Sequence, residues 1–340
     1  MIDVALDTRL TRQMSAGMKT YARELGARLP RAAPDLRFAA FDRGENFGFG
    51  EQVRLPLAIA AARPRLTHFL SLYTPLVCPR PYVVTIHDVI HLRFPQFFKK
   101  KVALYYQTLV RAVLHGAARV ITDDERTLAD LQHYLGVGPE RCRVIALGVE
   151  DHFLRQAAPH VRERPFLLYA GNHREHKNVE TLLAAWCQLP SDRALDIILT
   201  GPNDMADLVA RYARANGRIE FLGDVSALEL ARFYAGALAY VHPALAEGFG
   251  LPMLEAMAAG APVVASEESV PGALRSSALT FPARDAGALT SAILTIWDDA
   301  ERAQTLREAG RVVAQSLTWD ACAVKTAAVY RELLEERSTR

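Results

Sequence analysis

Two glutamates, Glu247 and Glu255, stand with seven residues between them in the run His242-Pro-Ala-Leu-Ala-Glu-Gly-Phe-Gly-Leu-Pro-Met-Leu-Glu255. Gly248-Phe249-Gly250 makes the stretch between them a turn, and Pro252 suits a first helical position. Short apolar strands, Ala239–Val241 and Val263–Ala265, are expected on either side. The pattern is strand, glycine-rich turn, helix N-terminus. Such a turn offers backbone N–H groups and the positive end of a helix dipole to an anion. Glu255 is expected on the first helical turn, with Glu247 on the loop facing it. Amides for phosphate beside carboxylates for hydroxyls suit a phosphorylated sugar.

Other reactive side chains fall where strands should end, and open parallel sheets bind ligands there. After Phe166–Tyr169 comes Gly171-Asn172-His173-Arg174-Glu175-His176-Lys177-Asn178. Lys177 enters a helix there, where its ammonium can reach a diphosphate. His173 and His176 lack a third nearby ligand, and neither His-Glu-x-x-His nor Asp-x-Asp occurs, so no bound metal is expected. Val83–Ile86 runs into His87-Asp88, and Ser15-Ala16-Gly17-Met18 opens the first helix. Asp124 reads as a helix cap.

The elements needed to hold these groups alternate strand and helix, which argues for parallel α/β layers. In the first half strands are expected at Asp3–Leu6, Phe38–Phe41, Leu66–Leu70, Val83–Ile86, Val120–Thr122 and Arg143–Ala146, with helices at Met18–Leu29, Phe97–His115 and Arg126–Leu135. The second half restarts at Phe166–Tyr169 and adds strands at Asp196–Thr200, Ile219–Leu222, Ala239–Val241 and Val263–Ala265. Its helices are expected at Asn178–Gln188, Ala206–Asn216, Ala227–Ala235, Met253–Ala258, Ala286–Asp298 and Ala300–Gln315. A charged, irregular linker at 149–164 divides the chain into domains 1–150 and 151–318, and a last helix occupies 319–340.

The chain has 340 residues, half of them hydrophobic and 23% charged, which suits a soluble enzyme of about two domains. The N-terminus reads as a strand and not as a signal peptide, and no apolar run reaches membrane-spanning length. Cys78, Cys142, Cys187 and Cys322 are widely spaced and read as reduced cytoplasmic thiols. The net charge of +2 hides an asymmetry. Residues 1–150 carry 21 Lys+Arg against 14 Asp+Glu, or +7, and the remainder is −5. A basic half expects an anionic neighbour. Dispersed basic residues without a recognised motif argue against nucleic acid. Lys99-Lys100-Lys101 beside Phe97, Phe98, Tyr105 and Tyr106 suggests reversible contact with an anionic membrane surface.

The run Glu247-Gly-Phe-Gly-Leu-Pro with Glu255, followed by Gly260-Ala-Pro-Val-Val-Ala-Ser266, resembles the Glu-x7-Glu motif of retaining glycosyltransferase family 4. The resemblance implies the GT-B fold: two Rossmann-like domains facing a central cleft, with a C-terminal helix crossing back to the N-terminal, acceptor-binding domain. It implies that Glu247 and the amides of Gly248, Phe249, Gly250 and Leu251 meet the donor sugar, and that Glu255 meets the ribose. His87 would lie near the reacting sugar, and Gly17 near the donor phosphates. The loop Leu222-Gly223-Asp224-Val225 would lie near the base, with Gly223 and Val225 contributing through backbone. Family members usually carry Gly-Arg where this chain has Gly171-Asn172, which leaves open whether Arg174 or Lys177 alone neutralises the phosphates. Lys19 stands where a second glycine is common.

The implied reaction transfers a sugar from a nucleotide diphosphate sugar, GDP-mannose-like or UDP-hexose, to a hydroxyl with retention and without metal or other cofactor. His87, Glu247 and Lys177 are the residues expected to act on it. The leaving diphosphate would take the acceptor's proton in a front-face substitution. The setting expected is bacterial polysaccharide or lipid-linked glycan synthesis, in the cytoplasm or at the inner face of the membrane. Rival readings are another GT-B activity, an epimerase or phosphorylase, and a non-catalytic sugar-nucleotide-binding partner subunit. A dinucleotide oxidoreductase is disfavoured, because no Gly-x-Gly-x-x-Gly follows the first strand.

Overall fold

The computed structural model describes all residues except 10, 12, 13, 43–47, 49, 213–215, 339 and 340. Short β-branched and aromatic runs, most of them buried, form two six-stranded sheets. The first contains β1 (Val4–Asp7), β2 (Phe38–Phe41), β3 (Leu66–Phe69), β4 (Tyr82–Ile86), β5 (Arg119–Thr122) and β6 (Cys142–Val144), in the order β2-β1-β3-β4-β5-β6. The second contains β7 (Phe166–Tyr169), β8 (Asp196–Leu199), β9 (Ile219–Phe221), β10 (Ala239–His242), β11 (Val263–Ser266) and β12 (Ala278–Phe281), in the order β12-β11-β10-β7-β8-β9. Every strand pairing is parallel. Strands covered on both faces need not alternate polar and apolar residues, and β7 and β8 are buried throughout.

Residues 1–148 and 319–340 form one unit and 149–318 the other. The first is centred on Phe69, Val84, Ile86, Val120 and Leu131, the second on Leu167, Leu182, Trp186, Ile197, Val241 and Ile293. The final helix, Trp319–Ser338, belongs to the first unit. Its Tyr330 hydroxyl meets His68 Nδ1 at 2.6 Å, and its Glu332 accepts from Arg119 at 2.7 Å and Arg143 at 2.5 Å.

Several sequence expectations change. The helix expected at Phe97–His115 is Lys100–Tyr105 and Arg111–Gly116 joined by a wider π-type turn at Tyr106–Val110. The stretch Arg126–Leu135 likewise ends in such a turn at Leu131–Leu135 before left-handed Gly136. The helix expected at Ala206–Asn216 is regular only over Ala206–Val209, and 213–215 lie outside the described residues. The edge strand β12 and the helix Leu55–Ala62 carry too little periodicity to be read from sequence.

Candidate functional site

In the second sheet the chain runs outward from β7 to β8 and β9, then returns to place β10 on the other side of β7. The crevice beyond the carboxyl ends of β7 and β10 is the switch point, where an open α/β sheet receives ligands. The loop 171–178 leaves β7, and the loop 243–250 leaves β10.

Asn178 locks these loops together. It holds a left-handed backbone (φ 55°), its side-chain amide donates to the carbonyls of Pro243 (2.9 Å) and Ala283 (2.5 Å), and its oxygen accepts from Thr181. Leu245 N–H donates to the His176 carbonyl at 2.8 Å. Lys177, in a short 3₁₀ turn over Glu175–Lys177, is thereby brought to Glu247, with Nζ 2.5 Å from Oε2. His242, the last residue of β10, places Nε2 3.1 Å from the same oxygen. Tyr240 hydroxyl lies 2.9 Å from His242 Nδ1. Burial drives His242 toward the neutral form. Nδ1 then accepts from Tyr240 O–H, which also faces the Ala170 carbonyl at 3.3 Å, and Nε2–H donates to Glu247.

Glu247 is held well below the usual carboxylate range. Burial opposes its charge, but Lys177 and His242 together outweigh that cost. Both partners share Oε2, so Oε1 can accept from a ligand hydroxyl. Lys177 uses one of its three donors on Glu247, leaving two for an anion.

Gly250 caps the next helix, Leu251–Ala259, at φ 74°, and a Cβ there would meet Met253 Cε at 2.2 Å and Glu247 Cγ at 3.2 Å. A side chain would therefore disturb the carboxylate. Phe249 is buried beneath the turn, which also contains Gly248, while Leu251 is half-buried. Pro252 is the second helical residue and not the first. Glu255 consequently falls in the second turn and not the first as expected. It accepts from Tyr234 hydroxyl at 3.2 Å. Burial, and secondarily the charge of Glu150, push Glu255 up to about 7, against the Tyr234 hydrogen bond. The two glutamates flank Tyr240, whose phenol both push upward after burial and Tyr169.

The remaining expected residues fall as follows. Asn172 Oδ1 accepts from Arg174 N–H, and both residues are exposed at the loop tip. His173 bonds Asp204 at 2.5 Å and packs between Tyr169 and Phe221, so it serves the loop's shape. Gly223 exchanges backbone hydrogen bonds with Gly201 at 2.9 and 3.1 Å, and no side chain crowds it. Val225 is half-buried just before the capping box of Ser226 and Glu229. Gly17 lies in the first turn of the helix Ala16–Ala32, whose N-cap Ser15 makes no side-chain capping hydrogen bond among the described residues. His87 follows β4 and pairs with Asp123 at 2.7 Å; both it and Gly17 belong to the first unit. Asp124 caps its helix as expected, accepting from Arg126 N–H. Sequence reasoning missed His242, the clamp by Asn178 and the partner role of Asp123. A histidine ending the strand before Glu247 was the available signal for the first.

Residues 19–153 match the family described as Glycosyltransferase Family 4, and residues 164–299 the family described as Glycosyl transferases group 1. O-antigen chain mannosyltransferase B of Escherichia coli is 27% identical over 268 residues, 74% of this chain and 70% of that protein. O-antigen chain mannosyltransferase RfbU of Salmonella typhimurium is 28% identical over 195 residues, 55% of this chain and 52% of its own length. Among solved structures, sucrose-phosphate synthase from Thermosynechococcus elongatus superposes with a TM-score of 0.77 at 24% identity, covering 99% of this chain and 100% of the other. Anabaena HepE in complex with UDP and glucose superposes at 0.71 and 18% identity over the full length of both. The structural likenesses establish the GT-B fold. The chain belongs to glycosyltransferase family 4 and is a sugar-transferring enzyme.

Proposed function

We propose that this enzyme transfers a hexose, with mannose the favoured sugar, from a nucleotide diphosphate sugar to a hydroxyl of a growing bacterial glycan, with retention and without a metal ion. The observation that carries the reading is the Lys177–Glu247 pair at the switch point, which leaves Glu247 Oε1 and two Lys177 donors for a ligand. Oε1 suits a sugar hydroxyl, and the ammonium suits the diphosphate. The names of the mannosyltransferase relatives support mannose, and the nucleotide in the HepE structure supports a nucleotide-linked donor. In this reading Glu255 takes the ribose hydroxyls and His87 approaches the donor sugar. Lys177 and the turn Gly248–Leu251 stabilise the leaving diphosphate, which takes the acceptor's proton. The test is turnover with GDP-mannose and UDP-hexoses, with and without excess chelator, and an NMR spectrum of the first product. An α-linked product from an α-linked donor, formed under chelation, is expected; an inverted anomer or a strict divalent-ion requirement would refute the corresponding part.

The acceptor is proposed to be lipid-carried. Lys99, Lys100 and Lys101 are exposed at the start of a helix on which Leu104 is 62% exposed, while among the described residues no helix is long and apolar enough to cross a membrane. A basic turn beside an exposed apolar residue supports reversible adsorption to anionic lipid. Salt-sensitive co-sedimentation with anionic vesicles, lost when the three lysines become Glu, is expected. Equal binding to neutral vesicles would overturn it.

A further inference from the structure

β4 and β5 end side by side at Ile86 and Thr122, and the next residue of each strand faces the other. His87 Nδ1 lies 2.7 Å from Asp123 Oδ2. The other ring nitrogen, Nε2, lies 3.2 Å from the Leu70 carbonyl, which can only accept, so Nε2 carries a hydrogen. Asp123 is 2% exposed, and its Oδ1 has no hydrogen-bond partner among the described residues. The contact with His87 is therefore the principal outlet for a buried carboxylate. Tyr21 stands edge-on to the imidazole, with ring centroids 4.6 Å apart, and fixes the ring's plane.

We propose that Asp123 is a positioning residue that holds His87 as an imidazolium, so that its Nε2–H, held by the Leu70 carbonyl at 3.2 Å, passes to a ligand oxygen as a charged donor and not as a base. The proposal rests on the reading above that His87 approaches the donor sugar. A charged donor suits the oxygens of a departing diphosphate or of a sugar hydroxyl, whose negative charge grows as the bond to the leaving group breaks.

The surroundings bear on the same balance from every packed element. Asp88 and Asp124 flank the pair on the two strand ends, Tyr21 comes from the helix Ala16–Ala32, and His68 from β3. Cys322 and Tyr330 come from the final helix, with Lys325 beside Cys322. Burial opposes the charge on His87, but Asp123, Asp88 and the Leu70 carbonyl outweigh it and raise the ring's pKa. Burial also raises Asp123, against the pull of His87, and the ion pair exists above the carboxyl's pKa and below the ring's. His68, held between Tyr330 and Thr85, is pushed down to about 3 by burial first and by His87 second, so it stays neutral and does not compete for the proton.

The experiment is a ¹⁵N–¹H NMR titration of the histidine rings in the full chain, with steady-state kinetics of wild type, Asp123→Asn and His87→Asn. In wild type the His87 ring should stay doubly protonated well above the ordinary histidine value of about 6.5. In Asp123→Asn that titration should fall by about one unit or more, a loss of roughly tenfold or more in the protonation constant. kcat should fall with little change in donor KM, the alkaline limb of the pH profile should move to lower pH, and lowering the pH should restore much of the rate. A wild-type His87 that titrates at or below the ordinary value overturns the proposal without recourse to any variant. An unmoved titration and limb in Asp123→Asn, with His87→Asn strongly impaired, overturns the positioning role alone. His87→Asn at the wild-type rate overturns both the proposal and the role on which it rests.

Discussion

In the first unit the carboxyl end of β1, beside β3, carries a cluster of the protein's own buried charges. Arg9, following β1, gives Nε and Nη2 to Asp7 at 2.8 and 2.7 Å, Nη1 to Glu51 at 3.1 Å, and Nη2 again to the Tyr73 carbonyl at 2.9 Å. Arg9 is 2% exposed and Glu51 1%, and among the described residues four of the guanidinium's five N–H donors are spent internally. The crevice of the second unit, between β7 and β10, also holds a cation and a carboxylate. There, however, Lys177 and Glu247 meet at one oxygen and, among the described residues, leave donors and an acceptor unspent. The same switch-point geometry can thus be sealed or kept receptive. The difference lies in how many hydrogen-bonding groups the cluster satisfies within itself, not in the sheet.

Breaking the receptive cluster should cost activity. Glu247→Ala is expected to lower kcat by about 10²–10³-fold, the range for loss of one preorganised polar contact in a transition state. Nucleoside diphosphate affinity, measured by calorimetry, should stay within about threefold, under 1 kcal/mol. A matching loss of nucleotide affinity would mean that the carboxylate chiefly orders the loop. Breaking the sealed cluster should instead cost stability. Arg9→Met leaves Asp7 and Glu51 buried without their shared cation, and about 3–5 kcal/mol should be lost in denaturant unfolding. Lys177→Met should cost clearly less in the same assay; an equal loss would erase the contrast between the two clusters.

Glu255 sharpens the comparison through pH. Its folded pKa is raised to about 7 by burial first and Glu150 second. The stability referable to it is complete below the unfolded value, about 4.3, and is lost as pH rises through about 7. Glu255→Gln should therefore raise Tm at pH 8 by several degrees, at about 2–4 °C per kcal/mol for a unit of this size, and leave it unchanged at pH 4. If the ionised carboxylate takes the ribose hydroxyls, Glu255→Ala should weaken nucleotide binding at pH 8 by roughly 1.5–3 kcal/mol and by less at pH 6. The smallest effect is expected at Gly250, whose φ of 74° costs an alanine about 1–2 kcal/mol. Gly250→Ala should show a modest drop in stability with a partial loss of turnover, because the new Cβ presses on Glu247 Cγ.

Much of this was legible in the sequence where chemistry and local pattern coincide. Glu-x7-Glu with its glycine turn, Lys177 before a helix, and the strand entering His87-Asp88 each announce a strand end bearing polar groups. The parallel α/β alternation follows from short apolar runs between amphipathic segments. What stayed hidden depends on pairings distant in sequence. Lys177 and Glu247 are 70 residues apart, and His87 and Asp123 are 36 apart. Nothing local to Asp123 distinguishes a buried partner of histidine from the helix cap that its neighbour Asp124 is. The turns at Tyr106–Val110 and Leu131–Leu135 escaped for another reason: a widened turn keeps the helical spacing of apolar residues almost intact.

The hydrogen bond between His68 and Tyr330 joins residues 262 positions apart. The second unit is continuous in sequence, whereas the first needs the helix beginning at Trp319. During synthesis the order of completion is therefore the reverse of the order of translation. The second unit can close as soon as it emerges, while His68 and Thr85 wait in an unfinished core for a hydroxyl made far later. Such a chain keeps the core of its first unit incomplete until its last helix has been made. A mutation at Tyr330 would then be felt first as lost yield of folded protein and only afterwards in the finished enzyme.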